Sequence, residues 1–194
     1  MSSRNAESRI LAAARALFFE HGVPAVTTDM LAKAAQTSKM TLYKYFPSKE
    51  ELLEAVVAKE VARIYEPTQV DIHSKDDFVK VIHSFCTNLL KIIFDPQIVR
   101  FDQLMISQAL TNSDMSKAHF SRCYEPTIEE LARLINLGKE RGYLESVQSS
   151  KILADIVISA ISGVTYTKGL LGFDIQKTKI KKHVSSVLSA IFNF

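Results

Sequence analysis

Residues 27–46 read TTDMLAKAAQTSKMTLYKYF. Two short apolar repeats with helical spacing lie in this stretch, and the polar segment Gln36-Thr37-Ser38 separates them. Threonine or serine hydroxyls stand before each repeat, where they serve as N-caps, and Pro47 follows the second repeat as a stop. The stretch therefore predicts two short helices joined by a tight turn.

The neighbouring sequence extends this helical pattern in both directions. Upstream, Gly22 follows as a C-cap after apolar residues on one helical face, namely Ile10, Leu11, Ala14, Leu17 and Phe18. Downstream, Ser48 and Glu51 form a capping box ahead of a long apolar periodicity that ends at Pro67. One helix is therefore predicted before the two short ones, and a long helix after them.

The rest of the chain repeats the helical periodicity, and no strand pattern competes with it. Helices are predicted at 76–94, 97–111, 125–141, 150–171 and 177–192, with a shorter piece at 114–122. The predicted fold class is therefore all-α, with an N-terminal three-helix helix-turn-helix domain at 1–48 and a larger helical domain at 49–194.

The third helix has the pattern of a DNA-reading helix. In a helix-turn-helix the second of the two helices enters the major groove, so one of its faces is buried and the other is polar or adaptable. Leu42 and Phe46 are predicted to pack inward, which leaves the outward positions to Lys39, Met40, Tyr43 and Lys44. Lysine bonds guanine or phosphate, and a tyrosine hydroxyl bonds phosphate. These side chains favour DNA binding over catalysis.

The charge distribution agrees with a polyanionic partner for the N-terminal region. Residues 1–50 hold seven lysines and arginines against four acidic residues, whereas 51–194 hold seventeen of each. The whole excess of positive charge therefore lies in the first quarter of the chain, where DNA would be met.

The N-terminal region resembles the TetR (tetracycline-repressor) family of transcriptional regulators. The resemblance covers roughly residues 5–56 and rests on Arg9-Ile10-Leu11, Ala14, Leu17-Phe18, Gly22, Thr27-Thr28, Leu31-Ala32, Ala35, Ser38, Thr41-Leu42-Tyr43, Tyr45-Phe46, Ser48-Lys49-Glu50 and Leu52-Leu53. It implies a three-helix DNA-binding domain followed by a helical ligand-binding and dimerisation domain. It also implies that Thr28 and Lys49 touch phosphates and that the groove is faced by Lys39, Met40, Thr41, Tyr43 and Lys44.

Two departures from the family pattern concern the DNA-reading unit. The family usually has Gly-Val in the turn, where this chain has Gln36-Thr37, and a non-glycine residue in left-handed conformation costs about 1–2 kcal/mol. Either the turn differs or the strain is tolerated. The family often has glycine at the position of Met40, whose thioether favours apolar contact, for example with a thymine methyl group.

The last two predicted helices, at about 150–171 and 177–192, carry wide apolar stripes. The first stripe comprises Ile152, Leu153, Ile156, Val157, Ala160, Ile161 and Val164, and the second comprises Ile180, Val184, Val187, Leu188, Ile191 and Phe192. The resemblance implies that such a pair forms a four-helix bundle with a second copy, giving a homodimer. The alternative is that both stripes close the core of a monomer.

Aromatic and methionine residues in the middle of the chain are candidates for an apolar ligand pocket. The predicted lining is Phe85, Phe101, Met105, Phe120 and Tyr124. Each of them is individually more typical of ordinary core.

The remaining motifs give no sign of catalysis or of a bound cofactor or metal. The pairs His83 with Cys86 and His119 with Cys123 share helix faces, but buried thiols and satisfied histidines are the favoured interpretation. No GxSxG, P-loop, HExxH or dinucleotide motif occurs. We therefore expect no enzyme, no cofactor and no metal.

The sequence thus predicts a dimeric repressor that binds a double-stranded DNA operator and is released from the operator by a small apolar ligand. The alternative is a DNA-binding regulator of the same fold that a protein partner controls or that lacks an effector. The N-terminus has no apolar signal block and no apolar run reaches the length of a membrane span, so we expect a cytoplasmic protein without membrane contact.

Overall fold

The computed structural model describes residues 3–68, 70–111, 113–175 and 179–192. Within these ranges the chain forms α-helices and two short 3₁₀ segments, Glu66–Thr68 and Gln108–Leu110, and no strand. The helices are α1 (Ser3–His21), α2 (Thr28–Ala34), α3 (Lys39–Tyr45), α4 (Lys49–Tyr65), α5 (Lys75–Ile93), α6 (Pro96–Ser107), α7 (Ser113–Glu140), α8 (Ser150–Leu170) and α9 (Ile180–Phe192). The predicted all-α class is confirmed. Lys177, the predicted first residue of the last helix, lies outside the described residues.

The chain divides into two compact units that are each discontinuous in sequence. The first unit comprises Met1–Glu60 and Pro96–Arg122, and the second comprises Val61–Asp95 and Cys123–Phe194. This division groups residues that are close in space, whereas the predicted domains divide the chain at one point, between residues 48 and 49. The two therefore cannot be compared directly, and the predicted domain boundary stays a prediction.

The first unit begins with the three helices that the caps predict. The Thr27 hydroxyl accepts from the Met30 amide at 3.2 Å, and the Ser38 hydroxyl accepts from the Thr41 amide at 3.1 Å. Each bond satisfies an amide that the first helical turn leaves without an intrahelical partner. The apolar faces then meet in a core that contains Ile10, Ala14, Phe18, Leu31, Leu42, Phe46 and Leu52.

Helix α6 also belongs to the first unit, where it packs against α1. The Phe101 ring stacks on the Phe19 ring with centroids 4.6 Å apart. The Arg15 guanidinium also lies over the Phe19 ring, 4.8 Å from its centroid. Arg15 also donates to the Glu60 carboxylate at 2.7 Å and to Gln97 Oε1 at 2.5 Å. These contacts tie α1 to the start of α6 and to α4, an arrangement that sequence periodicity does not predict.

Helix α7 runs without interruption from Ser113 to Glu140, although Pro126 lies inside it. The sequence predicts two pieces here, at 114–122 and 125–141, and that prediction is wrong. Proline removes one amide donor and costs stability inside a helix. The Thr127 hydroxyl donates to the Cys123 carbonyl at 2.8 Å, and the apolar residues Leu131, Leu134 and Ile135 are fully buried farther along. Tertiary burial thus outweighs the local cost.

The end of α6 also differs from the sequence-based prediction. A helix at 97–111 is expected, whereas α6 ends at Ser107 and the 3₁₀ segment Gln108–Leu110 follows. The Ser107 hydroxyl donates to the Leu104 carbonyl at 2.7 Å, which satisfies one of the carbonyls that the end of the helix leaves free. Leu110, the last residue of this segment, is 95% exposed, so its burial does not contribute to prolonging the helix.

The second unit is built around α5, which packs against α8 and α9. Helix α8 contains a break at Gly163, with φ 39° and ψ −140°. L-residues rarely adopt this conformation, so glycine is required there. The His183 ring of α9 lies 3.0 Å from the Ile161 carbonyl beside the break, which gives that carbonyl a hydrogen bond from Nε2.

The apolar stripe of α8 divides into two faces. Leu153, Val157 and Ile161 are buried in the second unit, whereas Ile152, Ile156 and Val164 are 48%, 44% and 71% exposed. Sequence periodicity places all of them on one wide stripe, and only the packing separates the inner from the outer face. Among the described residues, no helix has the combination of length and apolar character that crossing a membrane requires.

Candidate nucleic-acid interface

The turn between α2 and α3 is a Schellman motif with glutamine at the usual glycine position. Gln36 has φ +50°, the one positive φ of a non-glycine residue in the described part of the chain. Its amide bonds to the Lys33 carbonyl at 3.2 Å, and the Thr37 amide bonds to the Ala32 carbonyl at 2.9 Å. The turn therefore keeps the left-handed geometry, and the chain tolerates the strain of a side chain there.

We expect Gln36→Gly to raise the free energy of unfolding by about 0.5–1 kcal/mol. It removes a left-handed strain of about 1–2 kcal/mol, and the greater freedom of glycine in the unfolded chain offsets part of this gain. Thermal and urea unfolding measure the change. Ala34→Gly, at the last residue of α2, is the matched control and should destabilise by up to about 1 kcal/mol. A destabilised Gln36→Gly variant would contradict the strain assignment.

Helix α3 presents its outer face to solvent as the sequence predicts. Met40 is 82% exposed and Tyr43 is 45% exposed, while Lys39 and Lys44 are also exposed. On the opposite face Leu42 and Phe46 are 2% and 8% exposed, so both are buried as predicted. The helix thus combines a fixed inner face with an outer face of cations, an aromatic hydroxyl and a thioether, which suits contact with phosphates and base edges.

Thr41 lies between these two faces. It is half-buried, and its hydroxyl is 2.9 Å from the hydroxyl of Ser38, the N-cap of α3. Its side chain is therefore engaged in holding the start of α3. The predicted groove contact of Thr41 stays a prediction.

The predicted phosphate-binding residues lie at the starts of α2 and α4. Thr28 is half-buried at the first position of α2. Lys49 begins α4, and its ammonium donates to the Val26 carbonyl at 3.2 Å, which ties the start of α4 to the loop before α2. An ammonium has three donors. One bond to the protein therefore orients Lys49 while leaving it donors for an anion.

Two contacts at this surface cannot be predicted from the sequence. Lys39 Nζ lies 2.7 Å from the Asp29 carboxylate, which joins the start of α3 to the first turn of α2. Arg9 of α1 donates to the Ala35 carbonyl at 3.1 Å and so holds the end of α2. In the sequence, the first contact is indicated only by the presence of Asp29 in the first turn of α2. Because Asp29 and Lys39 are ten residues apart and lie on different helices, their spacing does not predict an ion pair.

The predicted ligand-pocket residues fall in both compact units. In the first unit Phe101 and Met105 are each 2% exposed on α6, and Phe120 of α7 is 48% exposed. In the second unit Phe85 is fully buried and its ring lies parallel to that of Tyr65, with centroids 6.3 Å apart. The Tyr124 hydroxyl lies 2.8 Å from that of Tyr166.

A cavity of about 330 Å³ opens among α5, α8 and α9 of the second unit. Leu90, Phe94, Thr165 and His183 are among its lining residues, and none of the five predicted pocket residues is. The ligand pocket predicted from the sequence therefore stays a prediction.

The histidines of the two histidine–cysteine pairs bond other side chains, and Cys86 is buried as predicted, whereas Cys123 is half-buried, so the predicted burial is wrong for Cys123. His83 Nε2 lies 2.7 Å from the Ser185 hydroxyl, and His119 Nε2 lies 2.7 Å from the Asp102 carboxylate. Burial raises the pKa of the Cys86 thiol to about 12, so this cysteine stays protonated at neutral pH. Among the described residues, no three His, Cys, Asp or Glu side chains are grouped as a metal site would require.

Comparison with known families divides the chain into two matched segments. Residues 10–56 match the family described as bacterial regulatory proteins, tetR family. Residues 80–193 match the family described as AefR-like transcriptional repressor, C-terminal domain. The second match alone covers more than half of the chain.

Individual relatives and solved structures agree with these matches. The HTH-type transcriptional regulator SrpR of Pseudomonas putida is 23% identical over 178 residues, which are 92% of this chain and 81% of the relative. A TetR regulator from Agrobacterium tumefaciens is 25% identical with a TM-score of 0.74, and covers 99% of this chain and 95% of its own. A protein from Mesorhizobium loti described as a TetR-family regulator shares the fold, with a TM-score of 0.77 at 19% identity over 98% and 96% of the two chains. The chain therefore belongs to the TetR family and is a helix-turn-helix transcriptional regulator, not an enzyme.

Proposed function

We propose that this regulator is a homodimeric repressor that binds a palindromic DNA operator and is released from it by a small apolar molecule. One observation supports the proposal above the others. The outer face of α3 is solvent-exposed and chemically suited to DNA, and Met40 at its centre is 82% exposed. Action on DNA is consistent with a cytoplasmic location.

The proposed division of labour among the DNA contacts follows from side-chain chemistry. Thr28 and Lys49 hold phosphates on either side of α3, because both lie at helix starts where free amides favour anions. Lys39 and Lys44 bond guanine acceptors or phosphates, and Tyr43 donates to a phosphate. The Thr41 side chain contacts the DNA backbone beside Tyr43, and the Met40 side chain lies against a thymine methyl group.

The proposed dimer uses α8 and α9. Helix α8 exposes the apolar residues Ile152 and Ile156 before its break at Gly163 and Val164 directly after it, and exposed apolar residues grouped together are typical of an interface. A two-fold dimer places two recognition helices in successive major grooves, about 34–36 Å apart. Symmetry of the protein then requires symmetry of the operator.

The proposed ligand acts by shifting the separation of the two recognition helices. A ligand can displace this equilibrium only by the difference between its affinities for the two states. The C-terminal segment resembles a domain that is named for a repressor, which favours loss of repression on ligand binding over activation. Helix α6 contacts α1 directly, so a change at α6 reaches the DNA-binding helices within one compact unit.

Footprinting of the purified protein on genomic DNA, followed by transcription in vitro from the bound promoters, tests the proposal. We expect a palindromic footprint and lower transcription when the protein is added. A panel of small apolar compounds is then screened for one that raises the unfolding temperature and also releases the DNA. Increased transcription would contradict a repressor. Stable DNA binding in the presence of every stabilising compound would favour control by a protein partner.

We expect Met40→Gly to change base preference more than general DNA affinity. The thioether supplies apolar contact to a base edge but no phosphate contact. Its loss should therefore reduce binding to the selected operator about tenfold, which lies within the range of up to about 3 kcal/mol for one base contact. Binding to random duplex should stay within about twofold.

Fluorescence anisotropy on both duplexes measures this difference. Met40→Leu, which keeps the apolar bulk and the helix propensity, is the matched control and should retain the wild-type preference. An equal loss of affinity by Met40→Gly on operator and random DNA would contradict the role of Met40 as a base contact.

A further inference from the structure

The DNA-facing surface contains an acidic side chain in the middle of its cations. The Asp29 carboxylate lies in the first turn of α2, next to Thr28, and is 2.7 Å from the Lys39 ammonium at the start of α3. Both side chains are open to solvent, with Asp29 76% and Lys39 50% exposed. An exposed pair of this kind contributes little to folding. As a carboxylate in the first turn, Asp29 also favours the start of α2, but that role does not require Lys39 as its partner.

A carboxylate at this position opposes binding to any DNA. The phosphate backbone supplies most of the affinity for non-specific duplex through lysine and arginine contacts. Asp29 repels phosphates near the start of α2 and also occupies the ammonium of Lys39, so one cation is withheld from the backbone. A lysine that engages a carboxylate still has two further donors, and it points them away from that carboxylate.

We propose that Asp29 is a positioning residue for specificity, which holds Lys39 toward the base edges and away from the phosphates. The inference rests on the proposed placement of α3 in the groove. Asp29 then lowers the affinity for random DNA more than the affinity for the operator, because on the operator Lys39 makes its contact in the orientation that Asp29 imposes. The outcome is a larger ratio of specific to non-specific binding, which is the quantity that matters against a genome.

Asp29→Asn tests the inference, because it keeps the shape of the side chain and removes its charge. The wild-type protein first selects its operator from a library of random duplexes, and the dissociation constants for this operator and for random duplex are then measured between about 50 and 300 mM salt. We expect Asp29→Asn to bind random duplex about five- to tenfold more tightly near 0.1 M salt, with a salt slope steeper by about one phosphate contact. The operator affinity should change less than threefold, so the specificity ratio falls.

Asp114→Asn is the matched control. Asp114 lies in the first turn of α7 and is 3.9 Å from Lys117, so it offers the same change of charge beside a lysine of another helix. It should leave the specificity ratio unchanged. Asp29→Glu, which keeps a carboxylate at this position, should retain most of the wild-type ratio of specific to non-specific binding. Thermal unfolding of each variant verifies that it is folded.

A double variant separates an effect through Lys39 from a general effect of charge. In a Lys39→Ala background, Asp29→Asn should no longer steepen the salt slope on random duplex. An equal gain in affinity on operator and random duplex, or the same gain without Lys39, would overturn the inference. A wild-type protein that binds its selected operator as a monomer would contradict the proposed dimer while leaving the comparison of Asp29 variants valid.

Discussion

Replacing both Ile156 and Val164 with glutamate should convert the proposed dimer to a monomer and lower operator affinity at least about 100-fold, because linked binding of two half-sites contributes about 10²–10⁴. Each half-site would then be bound independently by a single helix-turn-helix unit. Random duplex, which is bound through phosphates, should show a smaller loss.

The physical reason lies in the outer face of α8. Ile156 and Val164 are 44% and 71% exposed in the single chain, so glutamate at either position is hydrated in the monomer. In a two-fold interface the same carboxylates would be buried near their symmetry mates, and burying an unpaired charge is very costly. The substitutions therefore oppose association without opposing folding.

Sedimentation velocity at micromolar concentration and titration of a palindromic duplex measure the two effects. Val147→Glu is the control, because Val147 is fully exposed between α7 and α8 and belongs to neither stripe. It should leave both association and operator affinity unchanged. A double variant that folds and still sediments as a dimer would show that the outer face of α8 is not the interface.

Gly138→Val should lower the free energy of unfolding by about 3 kcal/mol, the upper part of the usual range for overpacking a core. A Cβ on Gly138 of α7 would lie within 2.8 Å of three atoms of the Phe78 ring of α5. Phe78 is fully buried and also contacts the Tyr143 ring, with centroids 5.9 Å apart. Movement of the ring would therefore disturb residues that are already packed against it.

Urea unfolding of Gly138→Val, Phe78→Ala and the double variant tests this origin of the loss. The two single losses should not add, because removal of the Phe78 ring makes room for the valine, and the coupling should exceed about 1 kcal/mol. Ala58→Val, on the exposed side of α4, is the control and should cost less than about 1 kcal/mol. Additive losses would mean that the valine is destabilising for a reason other than Phe78.

The features that the sequence predicts correctly are local ones. Thr27 and Ser38 cap α2 and α3 because a hydroxyl reaches an amide three residues away, a distance that the chain itself sets. The inward placement of Leu42 and Phe46 follows from the helical period alone. These signals suffice for the helix-turn-helix and, through many separately spaced positions, for the family.

Other features of the candidate site depend on contacts that sequence spacing does not encode. Whether Gln36 adopts a left-handed conformation or changes the turn is open in the sequence. The Schellman bonds and the hold of Arg9 on the Ala35 carbonyl favour the left-handed state in the folded unit. The pairing of Asp29 with Lys39 likewise needs the angle between α2 and α3, which the buried faces of the two helices determine.

The sequence by itself thus determined the helical class, the DNA-reading unit and the outward residues of α3, because caps and periodicity act over a few neighbouring residues. Only the tertiary structure decided that α7 continues through Pro126, that α6 packs on α1, and that the α8 stripe has an inner and an outer face. The continuation of α7 balances a local preference against burial by residues far away in the chain, whereas the other two outcomes depend on which helices the fold brings together. In α7 burial prevails because the area it removes from water outweighs the cost of one missing hydrogen bond.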